Sequence, residues 1–178
     1  MTDPFTPKLA TARIWETAPS AAKKPTSCNH CCQHNNSPVP KVYDTRGDGE
    51  KAEILMDYMP GEPLDKAWKK LTSDQQASAC SQLAGYLAEL RKLTGKRIEG
   101  LNGSMVRVWS YQSRWSGPFD TEQEFNVFLA KGTDKHPAAN HAIHFSHGDL
   151  APRNILADEY GNITVILDWE WVGWFLEY

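Results

Sequence analysis

The most informative segments of the chain are HGDLAPRNIL at residues 147–156 and ITVILDWE at residues 163–170. Two β-rich runs, Asn154–Ala157 and Ile163–Trp169, flank a turn-rich segment at Asp158–Asn162, which is the pattern of a β-hairpin. The returning strand ends on a carboxylate, Asp168, which lies 19 residues after Asp149. A polar loop is thus followed by a hairpin with an acidic end.

These polar residues have the chemistry that phosphoryl transfer from ATP requires. One carboxylate must orient the acceptor hydroxyl and take its proton, and oxygen ligands must hold the Mg²⁺ ions that bridge the phosphates. Asp149 and Asn154 lie five residues apart on one loop, and the predicted hairpin brings Asp168 to face them. We therefore expect the three side chains to converge on one solvent-open cleft, within reach of a shared metal ion.

A structural alternative is that His147–Asp149 forms an ordinary turn and that Asp168 is a solvated strand end. However, Asp168 follows three apolar residues and precedes Trp169, so the pattern predicts that its carboxylate is buried. A buried carboxylate is costly unless a cation or hydrogen-bond donors satisfy it. The two motifs together therefore favour a functional site over a turn.

The paired motifs resemble the H-x-D-x-x-x-x-N catalytic loop and the metal-binding aspartate of the protein-kinase-like superfamily. With Gly148 after the histidine and DWE at residues 168–170, the chain is similar to the aminoglycoside phosphotransferase and choline kinase branch. The resemblance implies that Asp149 is the catalytic base, that His147 supports the loop, and that Asn154 and Asp168 are Mg²⁺ ligands. It also implies ATP and Mg²⁺ as cofactors. The implied fold is α+β, with partial N-lobe strands before a mainly helical C-lobe that carries a catalytic-loop hairpin.

Upstream, ILMDYMPGE at residues 54–62 resembles the strand and hinge that join the two lobes in this family. The resemblance implies that the adenine ring hydrogen-bonds to main-chain groups around Asp57, Tyr58 and Met59. On these residues alone, an edge strand that ends in a turn is an equally good interpretation.

Two sequence features of the family are missing. We find no glycine-rich loop before the hinge, and no lysine in a strand of the required pattern. The chain also ends at Tyr178, before the helices that would shape the acceptor pocket, so we expect a chain truncated at both ends. The predicted function is ATP-dependent transfer of a phosphoryl group to a hydroxyl of a small polar molecule. The alternative is a catalytically inactive, truncated kinase-like remnant that at most binds nucleotide or a partner.

The N-terminal part of the chain differs from the remainder. Residues 1–40 contain six of the eleven prolines and few large apolar residues. We therefore predict an irregular or disordered segment at 1–37 and a partial kinase-like domain at 38–178. Cys28, Cys31 and Cys32, with nearby histidines, have a zinc-ligand spacing, but no second ligand pair follows at a standard distance. We favour a chance cluster over a zinc site.

Between these segments the sequence predicts a hairpin and two helices. Lys41–Thr45 and Glu53–Tyr58 are β-rich and flank a turn. Ser73 and Gln76 form a capping-box pattern that predicts a helix over residues 74–93, and Thr121 with Glu124 predicts a second helix that ends at Gly132. Helical spacing predicts a buried face on the first helix made of Ala77, Cys80, Leu83, Ala84, Leu87 and Leu90. On the second helix it predicts Phe125, Phe128 and Leu129.

Composition narrows the functional classes. The formal net charge is −3, so nothing indicates a nucleic-acid partner held through its phosphates. No apolar run approaches the ~20 residues of a membrane helix. The first 16 residues lack the apolar core of a signal peptide, and the four cysteines are therefore expected to be reduced thiols. We expect a cytoplasmic protein whose partners are a nucleotide and a small-molecule acceptor, with neither nucleic acid nor membrane.

Overall fold

The structure of the protein, a computed structural model, describes residues 9–15, 38–47, 51–108, 114–130 and 140–177. The chain divides into two compact units. The first unit contains Met1–Ala84 and Ala151–Leu167, and the second contains Gly85–Leu150 and Asp168–Tyr178.

The elements alternate between short strands and helices along the described ranges. In chain order they are β1 (Leu9–Trp15), β2 (Val42–Gly47), β3 (Lys51–Asp57), β4 (Glu62–Pro63), α1 (Leu64–Ala67), α2 (Ser73–Arg91), β5 (Glu99–Gly100), β6 (Val106–Val108), β7 (Arg114–Ser116), α3 (Glu122–Leu129), β8 (Ile143–Ser146), β9 (Ile155–Ala157), β10 (Ile163–Ile166) and β11 (Gly173–Leu176). The main 3₁₀ turns are Trp68–Lys70, Leu101–Gly103, Pro152–Asn154 and Trp169–Trp171.

The first sheet of the first unit is antiparallel, in the order β1-β3-β2. The β2–β3 pair confirms the predicted hairpin. The prediction that residues 1–37 are irregular is wrong for Leu9–Trp15, because this segment pairs along its whole length with β3, from Leu9 opposite Asp57 to Trp15 opposite Lys51. Such pairing depends on a partner strand some 40 residues away in sequence, which local composition does not reveal. The Cys28–Cys32 cluster lies outside the described residues.

The second sheet of the first unit, in the order β10-β9-β4, contains the predicted catalytic-loop hairpin. Its apolar residues are buried: Ile155, Ala157, Ile163, Val165 and Ile166. Asp158 shapes the turn, because its Oδ1 accepts the N–H groups of Tyr160 and Asn162 at 2.9 and 2.8 Å. The second strand ends at Ile166 rather than at Trp169, since residues 169–171 form a 3₁₀ turn.

The predicted helix α2 is present, but its cap and its buried face differ from the prediction. Thr72 Oγ1 accepts the N–H of Gln75 at 3.3 Å, and Gln75 Oε1 accepts the N–H of Thr72 at 2.8 Å. The capping box is therefore Thr72 with Gln75, one residue before the predicted Ser73 and Gln76. The reciprocal pair satisfies two donors that the helix would otherwise leave unpaired.

The side of α2 that is buried is not the side that carries most of its apolar residues. Ala79 and Leu90 are buried, whereas four of the six predicted core residues are exposed: Ala77, Cys80, Ala84 and Leu87. A polar residue explains the rotation in the first unit. The Gln82 amide donates to the Gly161 carbonyl at 3.3 Å and accepts the Ile163 N–H at 3.0 Å, so main-chain hydrogen bonds to the hairpin turn set this face.

The second unit contains the sheet β5-β11-β8 and the hairpin β6–β7. One core cluster joins both to α3 and consists of Ile98, Val106, Phe119, Phe125 and Leu176. Thr121 caps α3 as predicted, with its Oγ1 accepting the Glu124 N–H at 3.1 Å, although the helix ends at Leu129 rather than at Gly132. Phe125 is buried as predicted, and Phe128 and Leu129 pack against the cluster.

The mixed content of helices and strands is compatible with the predicted α+β class. Three α-helices and seven strands follow β4 within the described ranges. The aromatic C-terminal segment forms the 3₁₀ turn Trp169–Trp171 and strand β11 and packs inward, with Trp171 in the turn 8% and Leu176 in the strand 5% exposed. No helix in the described part of the chain is long and apolar enough to cross a membrane.

Candidate active site

His147 fixes the start of the candidate catalytic loop, directly after β8. Its side chain is 2% exposed, and its ring packs on Trp169 with 4.5 Å between the centroids. Nδ1 of His147 accepts the main-chain N–H of Asp149 at 3.3 Å. The histidine therefore supports the main chain of the candidate base.

Gly148 turns the loop through a conformation that other residues avoid. Its φ is +82°, and a Cβ at this position would collide with the carbonyl oxygen of Trp171 and lie 2.8 Å from its carbonyl carbon. Residues with a side chain rarely adopt this φ, and here there is no room for one. The sequence His147-Gly148-Asp149 is thus fitted against the 3₁₀ turn Trp169–Trp171, within the second unit.

Asp149 and Asp168 differ in exposure within the second unit. The Asp149 side chain is half-buried, whereas that of Asp168 is exposed. The prediction that Asp168 is buried is therefore wrong. Asp168 has φ 67° and ψ 54°, so the chain leaves the path of β10 in a left-handed turn rather than continuing as a buried strand. Aspartate is one of the few residues that tolerate this conformation.

Asn154 belongs to the first unit, where main-chain bonds hold it. It ends the 3₁₀ turn Pro152–Asn154 and is 8% exposed. Its N–H donates to the Ala151 carbonyl at 2.8 Å, and its carbonyl accepts the Leu167 N–H at 2.7 Å. Since Asn154 lies in one unit and the two aspartates in the other, the convergence of all three side chains stays a prediction.

The proposed ligand pair fits Mg²⁺ in donor chemistry. The side chains of Asn154 and Asp168 offer an amide oxygen and a carboxylate, and Mg²⁺ prefers oxygen ligands, taking one or two carboxylates together with waters and substrate phosphates. Among the residues that the structure describes, no group of three or more His, Cys, Asp and Glu side chains is placed to hold a metal ion.

The candidate nucleotide segment begins where β3 ends. Asp57 Oδ1 accepts the Tyr43 hydroxyl at 2.7 Å, and Oδ2 accepts the Lys41 N–H at 3.0 Å. The hydrogen bond to Asp57 is the main cause of a raised pKa for the Tyr43 phenol. Tyr58, which is 53% exposed, and Met59 lie between β3 and β4, outside both sheets. The Asp57 carboxylate thus closes the hairpin just before the candidate hinge.

Sequence reasoning missed a cation beside the candidate loop. The guanidinium carbon of Arg107 lies 3.6 Å from the centroid of the Trp171 ring. Arg107 lies on the short strand β6, some 40 residues before the loop motif, and no local pattern connects the two. The contact between Arg107 and Trp171 is visible only in the tertiary structure, where β6 pairs with β7 and Trp171 packs inward.

One comparison with known proteins covers this site. A family model described as the phosphotransferase enzyme family matches residues 14–174. The match begins upstream of residue 38, where we expected the resemblance to start. A search of curated proteins finds no match.

Proposed function

Because the chain belongs to the phosphotransferase enzyme family, we propose that it transfers the terminal phosphoryl group of ATP to a hydroxyl of a small polar molecule. The family match over residues 14–174 is the observation that carries the proposal. It covers every candidate residue of the loop, the hairpin and the hinge. The cytoplasmic location expected from the sequence stays a proposal.

Asp149 is the proposed general base. It would orient the acceptor hydroxyl and take its proton as the oxygen attacks the terminal phosphorus. The support for this role is local: the Asp149 N–H is held by buried His147, and Gly148 leaves the loop no room for a side chain next to Trp171. A main chain fixed at two consecutive residues limits the positions that the carboxylate can take.

Asn154 and Asp168 are the proposed Mg²⁺ ligands. When bound, Mg²⁺ would neutralise charge on the phosphates and hold them for transfer. The support for both assignments is the family match over the loop and the hairpin, and main-chain hydrogen bonds anchor Asn154. The exposure of Asp168 removes the burial argument that favoured it from the sequence. The carbonyl of Asn154 accepts the N–H of Leu167, the residue immediately before Asp168. This main-chain hydrogen bond ties Asn154 to the residue next to Asp168 in the chain.

The segment Asp57–Met59 is the proposed site for the adenine ring. Main-chain groups of Tyr58 and Met59 lie outside the sheet ladders, as hydrogen bonds to a base would require. The Asp57 side chain is engaged with Tyr43 and Lys41, and we therefore assign it a supporting role in this segment.

The proposal is tested by transfer of labelled terminal phosphate from ATP to a panel of hydroxyl compounds, including aminoglycosides, choline and homoserine. Binding of ATP with and without Mg²⁺ is measured by calorimetry on the same protein. The proposal predicts Mg²⁺-dependent binding and a labelled product with at least one acceptor class. An absence of binding at millimolar ATP, together with an absence of product, would favour the inactive remnant instead.

A further inference from the structure

The β6–β7 hairpin carries a cation that stacks on an aromatic ring next to the candidate catalytic loop. The guanidinium carbon of Arg107 lies 3.6 Å from the Trp171 ring centroid and 5.9 Å from that of Trp115. Arg107 and Trp115 face each other in the register of β6 and β7. The neighbouring Val106 is 2% exposed and belongs to the core cluster, which anchors the strand that presents the arginine.

Trp171 is held at more than one point. Trp171 is 8% exposed, and its indole N–H donates to the carboxylate of Glu170. A cation–π contact gains strength as water is excluded from it. The stack of Arg107 on this largely buried ring is therefore a contact of the stronger kind rather than a solvated surface pair.

The main chain of Trp171 is what the catalytic loop touches. Gly148 packs so closely on the Trp171 carbonyl that a β-carbon cannot fit. At the other end of the same 3₁₀ turn, the Trp169 ring packs on His147. The turn therefore contacts two consecutive loop residues, and the next residue, Asp149, is bonded through its N–H to His147.

We propose that Arg107 is a positioning residue: by stacking on Trp171 it holds the turn Trp169–Trp171 against Gly148 and so fixes the main chain of Asp149. The effect on turnover rests on the proposed function. The coupling between Arg107 and the Asp149 amide does not, because it is carried entirely by contacts within the second unit.

Amide hydrogen exchange resolved to single residues by NMR tests the coupling directly. Arg107→Met keeps a side chain of similar bulk and removes the cation, whereas Arg107→Lys keeps the charge and loses the planar stack. The matched control is Arg97→Met. Arg97 lies in the same unit, but its contacts are ion pairs with Asp120 and Glu99 at 2.5 and 3.6 Å.

We expect exchange of the Asp149 amide to rise roughly tenfold in Arg107→Met, which is the size of effect that one desolvated cation–π contact supports. Arg107→Lys is expected to give a smaller rise, and Arg97→Met none. An unchanged Asp149 amide in Arg107→Met overturns the proposal. So does an equal acceleration at every amide, since that would indicate global destabilisation. If Arg107→Met does not fold, exchange of the Asp149 amide in Arg107→Lys is compared with the wild-type protein and with the other amides in the same way.

Turnover provides the second readout, with MgATP as the probe and water as the acceptor. We expect Arg107→Met to lower kcat about tenfold and to change KM for ATP by less than about twofold, because the base would be misplaced while the nucleotide contacts remain. Arg107→Lys should recover part of the loss. A raised KM with an unchanged kcat contradicts a positioning role. If the wild-type protein neither binds nor hydrolyses MgATP, the proposed function fails, and the exchange experiment still decides the coupling.

Discussion

Gly148 lies against the main-chain carbonyl of Trp171, in a left-handed conformation and without space for a β-carbon. This contact joins two segments of the chain, the loop that carries Asp149 and the turn that follows Asp168. Both lie in the second unit. The loop therefore takes its shape from a tertiary neighbour as well as from its own sequence.

The first prediction concerns this contact. Gly148→Ala should lower the free energy of unfolding by about 2 kcal/mol or more, because the new methyl group is strained in φ and collides with Trp171. Gly85→Ala is the control, since Gly85 lies in helix α2 with nothing within 4 Å of a β-carbon. It should raise stability by about 0.5–1 kcal/mol. Denaturant unfolding measures both, and equal effects would contradict the assigned contact.

The second prediction separates nucleotide binding from chemistry. Asp168→Asn should abolish Mg²⁺-dependent binding of ATP, because it removes the charge of the proposed metal ligand. Asp149→Asn should leave that binding nearly intact and lower transfer by roughly 10²–10⁴-fold, as expected for loss of a general base. Calorimetric titration and the transfer assay measure the two effects. Asp74→Asn, an exposed carboxylate in the first turn of α2, controls for loss of charge alone.

If both Asp168→Asn and Asp149→Asn bind MgATP as the wild-type protein does, the assignment of Asp168 as a ligand is wrong. If Asp149→Asn transfers phosphate at the wild-type rate, the base lies elsewhere. The two outcomes are independent, so each residue is tested on its own property.

The third prediction concerns the start of helix α2. Thr72→Ala should lower the free energy of unfolding by about 1 kcal/mol, since it removes the hydroxyl that accepts the Gln75 N–H. Ser73→Ala should change stability by only a few tenths of a kcal/mol, because the capping box does not use that side chain. Thermal or denaturant unfolding distinguishes the two. A larger loss for Ser73→Ala would restore the capping position expected from the sequence alone.

The fourth prediction is the pH dependence of Tyr43. Its pKa is raised above the ordinary value of 10.0, mainly by the hydrogen bond to Asp57. A raised pKa in the folded state means that the bond stabilises the hairpin below the pKa of the unfolded phenol. That stabilisation is lost as the pH rises through the folded pKa.

Asp57→Ala should therefore lower the pKa of Tyr43 toward 10.0. Asp44→Ala is the matched control, because Asp44 lies on the same hairpin and its carboxylate bonds Arg46 instead. Ultraviolet titration of phenolate formation, with Tyr43→Phe subtracted, follows this one tyrosine. An unshifted titration in Asp57→Ala would show that another group raises the pKa.

Local chemistry explains what the sequence predicted correctly. The hairpins β2–β3 and β9–β10 follow from β-rich runs on either side of turn residues, and Asp158 supplies the turn through its own side chain. The cap of α3 follows from Thr121 in the same way. In each case the residues that decide the structure are only a few positions apart, so their pattern is visible along the chain.

The family assignment also came from sequence, since the loop and hairpin motifs preserve both residue types and spacing. The candidate roles of Asp149, Asn154 and Asp168 were named from these motifs. What the motifs did not predict was exposure. Asp168 was expected to be buried because of its apolar neighbours, but the left-handed turn at this residue directs the chain out of the strand.

Sequence alone predicted the hairpins β2–β3 and β9–β10, the helices α2 and α3 and the candidate polar groups, because each depends on neighbours within one turn or one hairpin. Which surfaces these elements bury follows from tertiary contacts. The pairing of β1 with β3, the rotation of α2 toward the turn bonded by Gln82, and the stack of Arg107 on Trp171 all join residues that are far apart in sequence. Such contacts form when packing and hydrogen bonding outweigh local preference, and no local pattern records them.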